Sequence, residues 1–196
     1  LFADRNVSRD IFGWTMPASM TQFFNPAFII IFGSIFSVMW VKLDQIGKNP
    51  SIPMKFALGI LQLGAGFLVT LLGMQFASEE AMVPLLTLVV LYLLHTTGEL
   101  FLSPIGLSMV TKLSPKSMAG TAMGGWFLSF AIANYAGGLI ASLTGGHGDS
   151  GEELTAAAGL LKYTDVFATI GWTCVGIAVL IAALNKPLNK LMHGVK

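Results

Sequence analysis

Five long apolar runs leave this chain very little choice of fold. They occupy residues 17–41, 54–77, 83–111, 117–143 and 163–184. Each exceeds the roughly 20 residues needed to cross about 30 Å of hydrocarbon. Inside a bilayer no water satisfies an open backbone, so a spanning segment must be a helix or part of a closed barrel. Barrel strands would read as short alternating segments, whereas these runs are continuous. The expected fold class is all-α: a polytopic transmembrane helical bundle of five spans.

Composition supports the same conclusion and removes the alternatives. Charged residues make up 11% of the chain against 54% hydrophobic, with a mean hydropathy of +0.74. Soluble domains commonly carry about a quarter charged residues, so a soluble globular enzyme is excluded. A net charge of +1 without a basic, aromatic-interleaved patch excludes a nucleic-acid partner. The lone Cys174 allows neither an intramolecular disulfide nor a cysteine zinc site, and His147 and His193 are too far apart to suggest a metal pair. Phosphate-binding loops, nucleophile elbows and HExxH are absent, so neither a catalytic residue nor a bound cofactor is expected. The first residue is Leu1 rather than Met, which suggests a fragment or a processed product.

Positive charge sets the expected orientation. Lys42, Lys48, Lys55, Lys112, Lys116, Lys186, Lys190 and Lys196 fall on one side of a five-span topology; Arg5, Arg9 and Lys162 fall on the other. The N-terminal segment is therefore expected outside and the C-terminus in the cytoplasm of a bacterial inner membrane. The connections are too short for an extramembrane catalytic domain. The longest, 144–162, reads as a Gly-rich turn followed by a short surface helix from Glu152 to Leu161.

Two glycine patterns point to close helix packing or to sliding surfaces. Gly59, Gly66 and Gly73 recur every seven residues in the second span. Gly120 and Gly124 form a small-xxx-small pair in the fourth, followed by Gly125, Gly137 and Gly138.

Apart from Asp165, placed at the start of the fifth span, the one acidic residue within a span is Glu99. An ionisable group at that depth costs on the order of 3 kcal/mol on insertion scales and marks a pathway or a structural link. His95 lies four residues before it and Ser103 four after, on one stripe of the helix. His95 is a candidate proton relay or a neutral bundle residue. Pro104 removes a backbone donor, and Gly98 and Gly106 flank it, so a flexible break is expected here. A carboxylate, a hydroxyl and a flexible helix suit a cationic group such as an ammonium. Asn25, just before Pro26, and Trp126, deep in the fourth span, could complete such a site; capping and bundle packing are their structural alternatives. Asn134 reads as an interhelical partner, and Trp14, Trp40 and Trp172 as interfacial belt residues.

These residues also carry a family resemblance. Gly98-Glu99-Leu100-Phe101-Leu102-Ser103-Pro104-Ile105-Gly106-Leu107 resembles the tenth helix of proton-coupled oligopeptide transporters of the major facilitator superfamily. Leu1–Val7 resembles the outer end of that family's seventh helix, Gln22-Phe23-Phe24-Asn25-Pro26 its eighth, and Met123-Gly124-Gly125-Trp126-Phe127-Leu128 its eleventh. The four segments occur in the family's order along the chain. The resemblance implies a partial C-terminal half of that fold, from the end of helix seven through helix twelve.

It further implies that Glu99 pairs with the N-terminal ammonium of a di- or tripeptide, with Asn25 assisting. Ser103 would share the pocket, and Trp126 would wall a side-chain subsite. Pro104, Gly106 and Gly124 would flex at the cytoplasmic gate, with the proton as coupling ion. The acidic–Arg motif of the family's first helix and the basic receptors of the peptide carboxylate have no counterpart here. The implied partners are peptides, protons, membrane lipid and the N-terminal half of the same transporter. Alone, the chain is expected to bind peptide poorly, to transport nothing, and to self-associate as a homo-oligomer. Two other readings stay open: a superfamily transporter of another solute such as nitrate, or a structural membrane subunit with Glu99 as an interhelical link.

Overall fold

The computed structural model describes residues 2–143 and 155–192. The Gly-rich turn, His147 and His193 lie outside the described residues.

Helix α1 (Phe2–Arg5) is followed by strands β1 (Val7–Ser8), β2 (Asp10–Ile11) and β3 (Trp14–Thr15). A 3-10 turn, Ala18–Phe23, runs into α2 (Phe24–Gln45). Then come α3 (Ile52–Met74), strand β4 (Val83–Pro84), α4 (Leu85–Leu113), α5 (Ala119–Leu143), α6 (Ala156–Ala183) and α7 (Asn185–Leu191). Among the described residues four helical segments are long and apolar enough to cross a membrane: Ala18–Gln45, α3, α4 and α6. Helix α5 has 25 residues but is not among them.

Helix α3 is the centre of the bundle and packs most extensively on α6 and on α4. Its glycines show how. A Cβ on Gly59 would lie 2.8 Å from the Gly98 carbonyl oxygen, and one on Gly98 would lie 2.7 Å from that of Gly59. Two turns along, Gly66 lies against the His95 ring, and Gly73 against Thr87. The seven-residue stripe is therefore the α4-facing side of α3. On the α6 side, a Cβ on Gly64 would lie 2.8 Å from the Gly171 carbonyl oxygen. Small residues let backbones approach where lipid provides no hydrophobic drive for association.

The α5 glycines behave differently. Gly120, Gly124, Gly125, Gly137 and Gly138 have nothing within 4 Å of where a Cβ would stand. Among the described residues, then, these glycines form no close helix contact, unlike those of α3. Asn134 likewise turns its Nδ2 onto the Phe130 carbonyl of its own helix at 2.8 Å, instead of bonding to another helix.

Helix α2 joins α4 through aromatic rings. Phe24, Phe28, Phe32, Phe36 and Trp40 recur every four residues, with successive centroids 6.1–6.5 Å apart. Tyr92 and Phe101 of α4 pack against this ladder, Phe101 edge-on to Trp40 at 5.0 Å. The ammonium of Lys55, itself buried, rests 4.5 Å above the Trp40 ring centroid. Trp40 is thus a packing residue joining α2, α3 and α4, and its role exceeds that of a belt residue.

Two further expectations change. Helix α4 runs unbroken through Pro104, and Gly98 and Gly106 are both buried in contacts. The sequence read them as loosening the helix; each provides room for close approach. Helix α6 starts at Ala156, where the Thr155 hydroxyl accepts from the Ala158 N–H at 3.3 Å. Nothing interrupts it before Tyr163, so the separate surface helix and the span are one element. Asp165 consequently lies about 13 Å along α6, away from its start.

A polar clasp closes the end where α1, β1, β4 and the start of α6 meet. The fully buried Asn6 donates through Nδ2 to the Ala81 and Ala156 carbonyls, at 3.1 and 2.9 Å. Its own carbonyl accepts from the Val83 N–H at 2.7 Å, beside the parallel β1–β4 pair. Phe2, Val7, Met74, Val83, Leu88 and Tyr163 form the core around it.

Adding a methyl at Gly98 should lower stability by about 1–3 kcal/mol, because it must displace backbone rather than a flexible side chain. The same addition at Gly124 should be neutral or slightly stabilising, since Ala is the better helix former. Thermal unfolding of the two purified variants in one detergent checks the contrast.

Candidate functional site

The site is assembled where the start of α2 meets the middle of α4. Pro26 falls in the first turn of α2, where a missing N–H is tolerated. The preceding residue, Asn25, does not cap the helix; its side chain crosses to α4. Its Nδ2 donates to the Thr96 hydroxyl oxygen at 3.1 Å and to Glu99 Oε2 at 3.4 Å. Thr96 and Glu99 are three residues apart and therefore neighbours on one helix face. A single amide thus spans two acceptors on successive turns of α4.

Glu99 stands equidistant from the two ends of α4. It is exposed on the surface of the chain, whereas Thr96 beneath it is completely buried. The carboxylate therefore has one polar neighbour on the protein side and open space on the other. That arrangement can receive a cation: an ammonium approaching the open side would meet the carboxylate.

The other sequence-predicted residues are distributed along α4 rather than gathered at this point. Ser103 is half-buried one turn beyond Glu99, about 6 Å along the axis. Trp126 of α5 packs over Gly106, two turns from Glu99, with Phe130 edge-on at 6.2 Å. Phe56 of α3 closes the same position, 3.2 Å from where a Gly106 Cβ would stand. Gly106 therefore makes room for the indole, and Pro104 is exposed beside it. Gly124 faces open space.

His95 shares the Asn25 end of α4 but turns away from it. Its ring packs on Phe67 at a centroid distance of 4.8 Å and against Gly66, in the α3–α4 seam. Its Nε2 is enclosed without a hydrogen-bond partner among the described residues. Helical spacing placed His95 and Glu99 on one stripe; the packing sends one into α3 and the other toward α2. Thr96 is the site residue that sequence reasoning missed. Threonine is unremarkable within a membrane helix, and only its position three residues before Glu99 could have singled it out.

Long apolar helices around a mid-helix carboxylate, with an amide and a hydroxyl beside it, define a polytopic helical membrane bundle with a polar cluster at its middle. The family model described as PTR2, POT family, matches residues 1–155, and the chain belongs to that family. Over 193 residues it is 32% identical to dipeptide and tripeptide permease B of Salmonella typhimurium, covering 98% of this chain and 39% of that protein. A crystal structure of the peptide transporter POT with sulfate superposes with a TM-score of 0.83 at 34% identity, covering 98% of this chain and 36% of the other. Tetrameric PepTSo2 superposes at 0.76 with 26% identity, over 97% and 38% of the two chains. This chain thus spans less than two fifths of the length of such relatives, and its bundle is a partial one.

Replacing Asn25 with Leu should leave Thr96 without its interhelical partner and lower stability by about 1–2 kcal/mol. Thermal unfolding against the Asn25→Gln variant, which keeps the amide on a longer stem, is the check.

Proposed function

We propose that this chain is the C-terminal helical portion of a proton-coupled importer of di- and tripeptides in a bacterial inner membrane. The observation that carries the proposal is the Asn25–Thr96–Glu99 cluster, with its carboxylate on the open side of mid-helix. In this reading Glu99 pairs with the N-terminal ammonium of the peptide, and Asn25 adds an acceptor. Ser103 extends the polar lining one turn along, and Trp126 over Gly106 supplies an apolar wall for a peptide side chain. Protons compete with the ammonium for carboxylates, so an inward proton gradient drives the loading and release cycle. His95 is a candidate relay in that path. The named relatives, a dipeptide and tripeptide permease and peptide transporters, support the substrate class.

Transport by alternating access needs two bundles rocking about a central site. This chain contributes one incomplete bundle, and its function is exercised with the N-terminal half. Flexing would centre on Gly124 of α5, whose open face among the described residues leaves that helix free to shift, and on Pro104, where α4 lacks one backbone donor. The distribution of lysines supports a cytoplasmic C-terminus. The tetrameric relative supports assembly of copies.

The Asn25–Glu99 hydrogen bond also favours a second reading, in which Glu99 is a structural link between α2 and α4. One substitution separates the two. In the complete transporter reconstituted in proteoliposomes, Glu99→Gln should reduce gradient-driven uptake of labelled dialanine at least a hundredfold with little loss of thermal stability. A lowered unfolding temperature with uptake intact would favour the link. Gradient-driven uptake of labelled nitrate, with no uptake of labelled dialanine, would move the substrate class.

A further inference from the structure

We infer that Thr96 is a positioning residue that sets the orientation of the Asn25 amide and thereby the acceptor geometry around Glu99; this rests on the peptide-transport reading above.

Threonines within these helices commonly return their hydroxyl to their own backbone. Thr70 bonds to the Gly66 carbonyl, Thr97 to Leu93, Thr164 to Leu160, Thr169 to Asp165 and Thr173 to Thr169. That habit satisfies the hydroxyl locally and joins nothing across the bundle. Thr96 departs from it by accepting from another helix, through the Asn25 amide at 3.1 Å. It is also fully buried, so water cannot replace it as the partner.

The chemistry of the two acceptors then fixes the amide. Both acceptors on α4 take Nδ2, so the face of Asn25 turned to Thr96 and Glu99 is its NH2 side. The two N–H groups are directed to Thr96 and Glu99, and Oδ1 is left facing away from α4. Of the two bonds the one to Thr96 is shorter, 3.1 against 3.4 Å. Thr96 is the acceptor fixed by burial, so it keeps its share of the amide when the exposed carboxylate turns toward a ligand. With Thr96 in place, the amide keeps its N–H groups on α4 and Oδ1 stays available as an acceptor for a ligand whose ammonium meets Glu99. Without it, one N–H of Asn25 would face an apolar surface, and the amide would rotate to find another partner. Thr96 itself never touches the ligand.

The test uses the complete transporter in proteoliposomes, with labelled dialanine as substrate and N-acetyl-dialanine as competitor. Thr96→Val keeps the shape and removes the acceptor. It should raise KM for dialanine about tenfold, the effect of losing one well-placed bond to a charged group, with the maximal rate nearly unchanged. It should also shrink the preference for dialanine over the acetylated peptide, which has no ammonium to place. Thr96→Ser should restore both. Thr96→Cys, which is close in size to serine but a weak acceptor, should behave like the valine variant and serves if that variant does not fold. Unchanged KM and preference in Thr96→Val or Thr96→Cys would overturn the assignment, as would equal losses in Thr96→Ser. Absence of dialanine uptake by the unsubstituted transporter would instead overturn the peptide reading itself.

Discussion

Backbone-to-backbone approach at glycine is the contact on which the rest of this bundle depends. In lipid the side chains of neighbouring helices gain little by leaving their surroundings, so association rests on dispersion and on how near two helices can come. Helix α3 meets α4 where Gly59 and Gly98 each occupy the space a Cβ would need against the other's carbonyl, and meets α6 where Gly64 crosses Gly171. These crossings place α4 at a set distance and rotation about α3. That rotation turns His95 into the α3 seam and leaves Glu99, one turn along, at its α2 edge. The position of the polar site thus follows from glycine on the adjoining face of its own helix.

The second seam has a different character. Helix α2 is joined to α4 by a ladder of rings ending at Trp40, with Phe101 at its edge and the Lys55 ammonium on its face. Stacked and edge-on rings tolerate small displacements better than interlocked backbones do, because their contacts are broad and graded. Asn25 sits at one end of this ladder and bonds across to α4. Helix α5, joined chiefly to α4 through Trp126 on Gly106, is the least enclosed of the long helices.

Much of this was legible in the residues. An acidic side chain in the middle of an apolar run is costly enough to stand out, so Glu99 was found by depth alone. Asn25 stood out because an amide beside a proline near a span's start calls for a partner. The seven-residue glycine stripe of α3 was correctly read as one face. Thr96 was not legible, because threonine can satisfy itself on its own helix and its departure from that habit depends on what stands opposite. At the α5 glycines, small residues at helical spacing signal permission for close approach, but nothing in the pattern says where the neighbour is, and none stands there among the described residues. The continuity of α6 was missed because a Gly-rich stretch and a lysine suggested a boundary, while the Thr155 cap and the alanines after it start the helix earlier.

The residues by themselves determined that the chain forms long helices, where those helices run, and which side chains are too polar to be there by accident. Each of these follows from local properties: apolar length, backbone hydrogen bonding and the cost of burying charge. Tertiary structure alone decided the azimuth of each helix. It sent His95 and Glu99 to different neighbours, set Trp126 on Gly106, and brought Thr96 beneath Asn25. A rotation of one helix about its axis changes every partner while leaving composition, length and periodicity untouched, so only the packed bundle could settle which polar groups meet.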